Sequence, residues 1–258
     1  MTSDATIHDL RRRVSELTEE NARLVEQVAA RDGFLVLAAH ELRNPMTPIV
    51  SRVALLRQAA KRGDVPADNL LQSLEQIEWL MALFVKRATM LLDVSRITTG
   101  KLQLEPDEVD VCEVVHAVAG NFEPLAKNAD SPIRLDVPPG GLCVIGDWMA
   151  IEEILENLVS NAIKYGAGKP ILVHVVADVA DGVARVSVAD SGPGISPESR
   201  ARIFERFERA VPRDHHAGGF GVGLWVVNRL VEAMKGTIAV TSEQGVGSTF
   251  RITLPLAP

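Results

Sequence analysis

From about residue 6 to residue 30 the chain contains neither proline nor glycine, and its apolar residues return every seven positions. With Ile7 at position a, the a and d positions are Ile7, Leu10, Val14, Leu17, Asn21, Leu24, Val28, Arg31, Leu35, Ala38 and Leu42. A sustained seven-residue repeat specifies a left-handed supercoil, because a straight helix would drift off the seam. Asn21 at an a position is the kind of polar core residue that fixes register and favours a parallel dimer. The same frame places His40 at position f, the outermost face of a coiled coil. An imidazole nitrogen accepts a phosphoryl group only when it is exposed and something removes its proton. Glu41, the next residue, can reach around the helix as a hydrogen-bond acceptor or general base.

Pro45 and Pro48 follow His40 closely, and each removes an i to i−4 hydrogen bond, so an interruption or kink is expected there. Helical pattern resumes with Ile49, Val53, Leu55 and Leu56 and stops in the polar turn 61–66. A second helix is predicted from about Ala67 to Thr99, with an apolar stripe through Leu70, Leu74, Ile77, Leu80, Phe84, Ala88 and Leu91. Two long helices joined by a short turn form a hairpin, and two hairpins bury their stripes as a four-helix bundle. Trp79 and Phe84 read as packing residues. Gly100 closes the helix, and residues 101–110 read as an extended acidic linker. This divides the chain into a coiled coil (1–30), a helical hairpin (31–104) and a second domain (105–258).

From 110 onward the pattern alternates. Helices are expected over Val111–Phe122, Trp148–Tyr165 and Gly223–Met234, with short helical segments over Glu198–Glu208. Strands are expected over Ile133–Val137, Leu142–Ile145, Ile171–Ala177, Val183–Ala189, Thr237–Ser242 and Thr249–Leu254, with an Asp181-Gly182 turn between the third and fourth. That is an α/β sandwich, one helical layer on a mixed sheet. The 258 residues suffice for about two domains, and the net charge of −7 argues against a nucleic-acid-binding face. Cys112 and Cys143 lack zinc or disulfide-framework spacing. No apolar run approaches the roughly 18 residues that span a bilayer, and the N-terminus lacks a signal-peptide core. A soluble cytoplasmic protein is the expectation.

Four stretches of the second domain carry chemistry. In Glu156-Asn157-Leu158-Val159-Ser160-Asn161-Ala162-Ile163-Lys164-Tyr165, Asn157 and Asn161 share a helix face, with Lys164 adjacent. Amide oxygens suit a hard cation such as magnesium that already carries phosphate oxygens, and the ammonium suits the phosphates. Asp190-Ser191-Gly192-Pro193-Gly194-Ile195 ends an apolar strand; its carboxylate can accept from an exocyclic amine while the glycines let a base approach the backbone. Gly218-Gly219-Phe220-Gly221-Val222-Gly223-Leu224 opens a helix and offers free N–H groups to phosphate. It is neither a dinucleotide-fold GxGxxG nor a P-loop. Gly245-Val246-Gly247-Ser248-Thr249-Phe250 turns into the last strand, where Thr249 could add a hydroxyl to a base pocket.

In order and spacing, these stretches resemble the sensor histidine kinases over about residues 30–256. HELRNP looks like the phosphoacceptor box, ENLVSNAIKY like the asparagine box, and IFERF, with Phe204 and Phe207, like the phenylalanine box. DSGPGI, GGFGVGL and GVGSTF look like the three glycine boxes. The resemblance implies a dimeric histidine-phosphotransfer bundle followed by an ATP-binding domain of the gyrase and Hsp90 type. It implies that His40 is phosphorylated, that Glu41 is its base and that Asn44 serves in dephosphorylating the partner. ATP with Mg2+ would be held by Asn157 and Asn161 as metal ligands, Asp190 as adenine acceptor, and Lys164 and Arg209 at the phosphates. Tyr165, Gly192, Gly194, Ile195, Phe207, Gly219, Gly221, Gly223, Leu224 and Thr249 complete the implied nucleotide contacts, with a lid from about Glu208 to Gly219. The implied partners are a second copy and a separate response regulator, with input through the coiled coil, an upstream partner, or a region outside this sequence. Two other readings remain open at this point: a signalling scaffold of the same fold without kinase activity, and a protein acting chiefly as a phosphatase on its regulator.

Overall fold

The computed structural model describes residues 2–62, 67–166, 168–208 and 221–258. The chain divides into two compact units, Met1–Leu91 and Leu92–Pro258. In the first, α1 (Thr2–Arg62) is a single helix of 61 residues, and α2 (Ala67–Thr98) begins in this unit and continues into the second. Helical structure runs through Pro45 and Pro48 without a break, contrary to the expected interruption. A proline's fixed φ is compatible with helix, and the loss is confined to the hydrogen bond its own nitrogen would make and to crowding of the preceding turn. The Thr47 hydroxyl donates to the Arg43 carbonyl at 3.0 Å in this stretch. Among the described side chains of the heptad seam, Val14, Leu17, Leu24 and Val28 are all exposed in the single chain. Trp79, expected to pack, is 61% exposed. Among the described residues, no helix is long and apolar enough to cross a membrane.

The second unit carries β1 (Asp107–Asp110), α3 (Val111–Asn128), β2 (Ile133–Asp136), β3 (Cys143–Gly146), α4 (Trp148–Tyr165), β4 (Ile171–Asp178), β5 (Val183–Asp190), α5 (Pro197–Arg200), α6 (Gly223–Ala233), β6 (Thr237–Glu243) and β7 (Gly247–Pro255). Five strands form one mixed sheet in the order β2-β4-β5-β7-β6, parallel only between β2 and β4. The acidic stretch expected to be linker instead supplies β1, which pairs antiparallel with β3 in a separate two-stranded sheet. Its side chains do not show the apolar alternation of a strand; backbone pairing with β3 holds it, and only Val109 is buried. Helix α3 also runs past Pro124 to Asn128, six residues beyond its expected end.

One face of the large sheet is covered by α3, α4 and α6, with α4 in the middle, packed against both of the others and against β4 and β5. Ile151, Ile154, Leu155 and Leu158 of α4 are fully buried, as are Ile171 of β4 and Ile252 and Leu254 of β7. Each such side chain contributes about 1.5–3 kcal/mol by leaving water. The Asp147 carboxylate starts α4: one oxygen accepts from the Ala150 N–H at 3.0 Å, the other from the Glu105 N–H at 2.8 Å. Thus the cap of the central helix also pins the entry to the second unit. Truncating Leu155 to Ala should lower unfolding stability of this unit by about 2–5 kcal/mol. Truncating Met149, 76% exposed six residues earlier, should change it by less than about 0.5 kcal/mol. Urea unfolding of the full chain, followed through the transition of the second unit, measures both.

Candidate functional site

The predicted acceptor lies in the first unit. His40 is exposed on α1, and the Asn44 amide Nδ2 stands 3.4 Å from its Nδ1, one helical turn away. The side chain of Glu41 lies outside the described residues.

The remaining described candidates lie in the second unit, on either side of the end of β5. Asn157 is 8% exposed and its Nδ2 donates back to the Glu153 carbonyl at 2.9 Å. That bond commits the donor end of the amide to the helix and leaves the oxygen as the end with acceptor capacity. Asn161, one turn on, is half-buried, and Lys164 is exposed with its ammonium 4.6 Å from the centre of the Tyr165 ring. Along this side of α4 the side chains pass from the buried Asn157 through the half-buried Asn161 to the exposed Lys164.

Asp190 closes β5. Backbone N–H groups of Gly192 and Ser248 donate to its carboxylate, the former at 2.8 Å. Burial nevertheless pushes its pKa above the ordinary carboxylate value of 3.8, against the downward pull of those two donors. The loop beyond Asp190 is built on close backbone contact. A Cβ on Gly192 would overlap the Tyr165 carbonyl oxygen, and one on Gly247 would overlap the Asp190 carbonyl oxygen. The Ser242 hydroxyl accepts from the Ile195 N–H at 2.8 Å and donates to the Gly247 carbonyl at 2.8 Å. Gly245 N–H donates to the Pro193 carbonyl at 2.8 Å. The DSGPGI loop and the GVGSTF turn thus form one hydrogen-bonded body at the sheet end.

Strand parity separates Thr249 from this body. Ser248, Phe250, Ile252 and Leu254 are buried, while Thr249, Arg251 and Thr253 alternate with them on the other face. Ser248 is the residue that pairs in register with Asp190, and its hydroxyl lies 3.0 Å from that of Ser242. Sequence reasoning named Thr249 and did not consider Ser248. The strand periodicity of Phe250, Ile252 and Leu254 was the available signal, since it extends to Ser248.

Helix α6 begins at Gly223 with Val222 at its N-cap and no side-chain cap, so its first N–H groups are left to other partners. Gly221 has φ +66° and receives the Phe207 N–H on its carbonyl at 2.9 Å. Leu224 is half-buried in the first turn. Arg209, Gly219 and nearly all of the lid segment lie outside the described residues.

Residues 146–258 match the family of histidine kinase-, DNA gyrase B- and HSP90-like ATPases. The chain is 31% identical over 95% of its length to the sensor histidine kinase RcsC of Escherichia coli, spanning 25% of that protein. It is 34% identical over 93% of its length to the adaptive-response sensory kinase SasA of Parasynechococcus marenigrum, spanning 61% of it. Over nearly its whole length the chain is similar to sensor histidine kinases. Among solved structures, full-length ShkA in complex with AMPPNP superposes with a TM-score of 0.61 and 28% identity, covering 88% of this chain and 46% of that one. The chain thus spans between a quarter and about three fifths of the length of its two curated relatives.

The raised pKa of Asp190 has a measurable consequence. A carboxyl whose folded pKa is raised favours the protonated form in the folded state, so its ionisation costs stability as pH rises past 3.8. Asp190→Asn, which resembles the protonated form, should leave the nucleotide-free protein more stable than wild type at pH 7. The advantage should shrink as pH falls through the raised value towards 3.8, as thermal unfolding across pH 3.5–7.5 would show.

Proposed function

We propose that this chain phosphorylates its own His40 from ATP and passes the phosphoryl group to an aspartate of a separate response regulator. The observation that carries the reading is the half-buried Asp190 carboxylate, oriented by two backbone N–H groups at the mouth of a glycine-built loop. A buried acceptor with that orientation suits an exocyclic amine such as that of adenine and penalises a base that lacks one. The AMPPNP complex of ShkA supports a nucleotide of the ATP type. Residues 31–104 would form the phosphotransfer hairpin and 105–258 the ATP-binding domain.

Each residue then has a physical role. Ser248 N–H and Gly192 N–H hold Asp190 for the adenine, with Ile195 and Gly194 shaping the adjacent loop. Gly221, Gly223 and Leu224 offer backbone N–H groups at an uncapped helix start, where the dipole favours phosphate. Lys164 adds a cation, with the Tyr165 ring against its ammonium, and by family likeness Arg209 and Gly219 contribute from the lid. The amide oxygens of Asn157 and Asn161 fit Mg2+, a hard cation that takes oxygen ligands and neutralises charge on the phosphates. Phosphoryl transfer relies mostly on positioning and charge neutralisation, so the acceptor needs little beyond exposure and a base. His40 supplies the acceptor imidazole, and Glu41 is the base. Asn44, within reach of the imidazole, also favours a second activity, hydrolysis of the regulator's aspartyl phosphate. The exposed apolar seam of α1 and the exposed Leu70, Leu74, Met81 and Val85 of α2 support a homodimer, coiled at its N-terminal end and a four-helix bundle at the hairpins.

The test is incubation of the full chain with γ-labelled ATP and magnesium, beside His40→Ala, Asn161→Ala and Asp190→Asn. Acid-labile, base-stable label is expected on the wild type and absent from His40→Ala and Asn161→Ala. Asp190→Asn should bind ATP about 100-fold more weakly. An unlabelled wild type that still binds ATP would refute the kinase and leave the phosphatase or scaffold.

A further inference from the structure

The turn after α5 and the start of α6 meet through their backbones. Phe207 donates its N–H to the Gly221 carbonyl at 2.9 Å while holding φ at +70°. A residue with a Cβ adopts that conformation rarely, and keeps it only where its surroundings impose it. A Cβ on Gly221 would press on the Glu208 carbonyl, so no side chain fits between the two backbones. Arg202 pairs with Glu205 and Glu208 and closes the same turn.

Arg206 covers this junction. Its guanidinium carbon lies 4.7 Å from the centre of the Phe207 ring and 5.6 Å from that of Trp225. Trp225 sits in the first turn of α6, 8% exposed, and a second guanidinium, that of Arg229, lies 5.8 Å from its ring. Arg229 is itself held by Glu232 at 2.8 Å. A planar cation is drawn to aromatic faces by their quadrupole, more strongly where water is thin. Burial pulls the Arg206 pKa below its ordinary value, a sign of how little water reaches it. Neither Arg206 nor Trp225 has a nucleotide role in the reading above.

We infer that Arg206 and Trp225 are positioning residues for the nucleotide. Their stack with Phe207 fixes the first turn of α6, and with it the N–H groups at Gly221, Gly223 and Leu224, against the Phe207–Glu208 backbone. The inference rests on the ATP reading. Removing the stack leaves the phosphate donors intact but free to move, and the ligand must then order them at its own expense.

The experiment measures ATP–magnesium affinity by calorimetry, and amide exchange at Phe207, on the full chain. The proteins are wild type, Arg206→Met, Trp225→Leu, Trp225→Phe and the double variant Arg206→Met/Trp225→Leu. Arg206→Met and Trp225→Leu should each weaken ATP binding about three- to thirtyfold and speed Phe207 exchange. The double variant should bind little worse than the weaker single, because both remove one stack. Trp225→Phe, which keeps an aromatic face, should recover most of the affinity, a rescue that a role confined to core packing would not give in step with Phe207 exchange. Arg206 is half-buried, so Arg206→Met carries the test if Trp225→Leu does not fold. Unchanged affinity in Arg206→Met, or Trp225→Phe as weak as Trp225→Leu, overturns the stack alone. A wild type that binds no ATP removes the ATP reading, and this inference with it.

Discussion

The second unit depends on backbone meeting backbone where side chains would not fit. At Gly192 the loop after β5 lies against the last carbonyl of α4, and at Gly247 the turn into β7 lies against the carbonyl of Asp190. These contacts draw the end of a helix, the end of a strand and a hairpin turn to one place. Asp190 stands at that convergence, and its two N–H donors come from the two sides of it. A single methyl group at either glycine would force the pieces apart by more than the hydrogen bonds could follow. The close approach therefore precedes everything chemical about the site.

The position of Asp190 has a cost that also explains its use. Burial disfavours its charge more than the Gly192 and Ser248 donors favour it, so the empty protein holds an imperfectly compensated carboxylate. A ligand that brings an amine relieves that imbalance, whereas one that brings a carbonyl adds to it. Under the proposed function, selectivity would come from that residual desolvation, since a buried polar group whose acceptor capacity is incompletely met is costly. Ser242 serves the same end without touching a ligand: by accepting from Ile195 and donating to Gly247 it keeps the two loops that flank the carboxylate in register.

Much of this was legible in the chain because local and global signals agree there. The buried stripe of α4 is written in Ile151, Ile154, Leu155 and Leu158, and the amides at 157 and 161 follow from the same helical spacing. The glycine clusters announced the close approaches, though not which carbonyl each one meets. What failed did so for identifiable reasons. Residues 107–110 have no apolar alternation, and only their partner β3 makes them a strand. Pro45 and Pro48 were expected to interrupt the helix, but a proline removes one hydrogen bond, and a long helix with many others absorbs the loss. Ser248, beside Thr249, was not singled out, and only the parity of the strand sets the two hydroxyls on opposite faces. The Arg206–Trp225 stack joins residues nineteen apart across a turn, where no periodicity operates.

The two halves of the proposed chemistry make opposite demands on water. A phosphoryl acceptor must be reached by two successive partners, a nucleotide and then a regulator, so His40 has to stay on an exposed helical face. The proposed nucleotide site would work by exclusion: a desolvated Asp190 would discriminate between bases, and phosphate donors at the start of α6 would act more strongly in a low dielectric than in water. One rigid site could not be both open to a second protein and closed around a base. Placing the imidazole on a long helix in one compact unit and the buried carboxylate in another satisfies both, since each group keeps the solvent environment its chemistry requires.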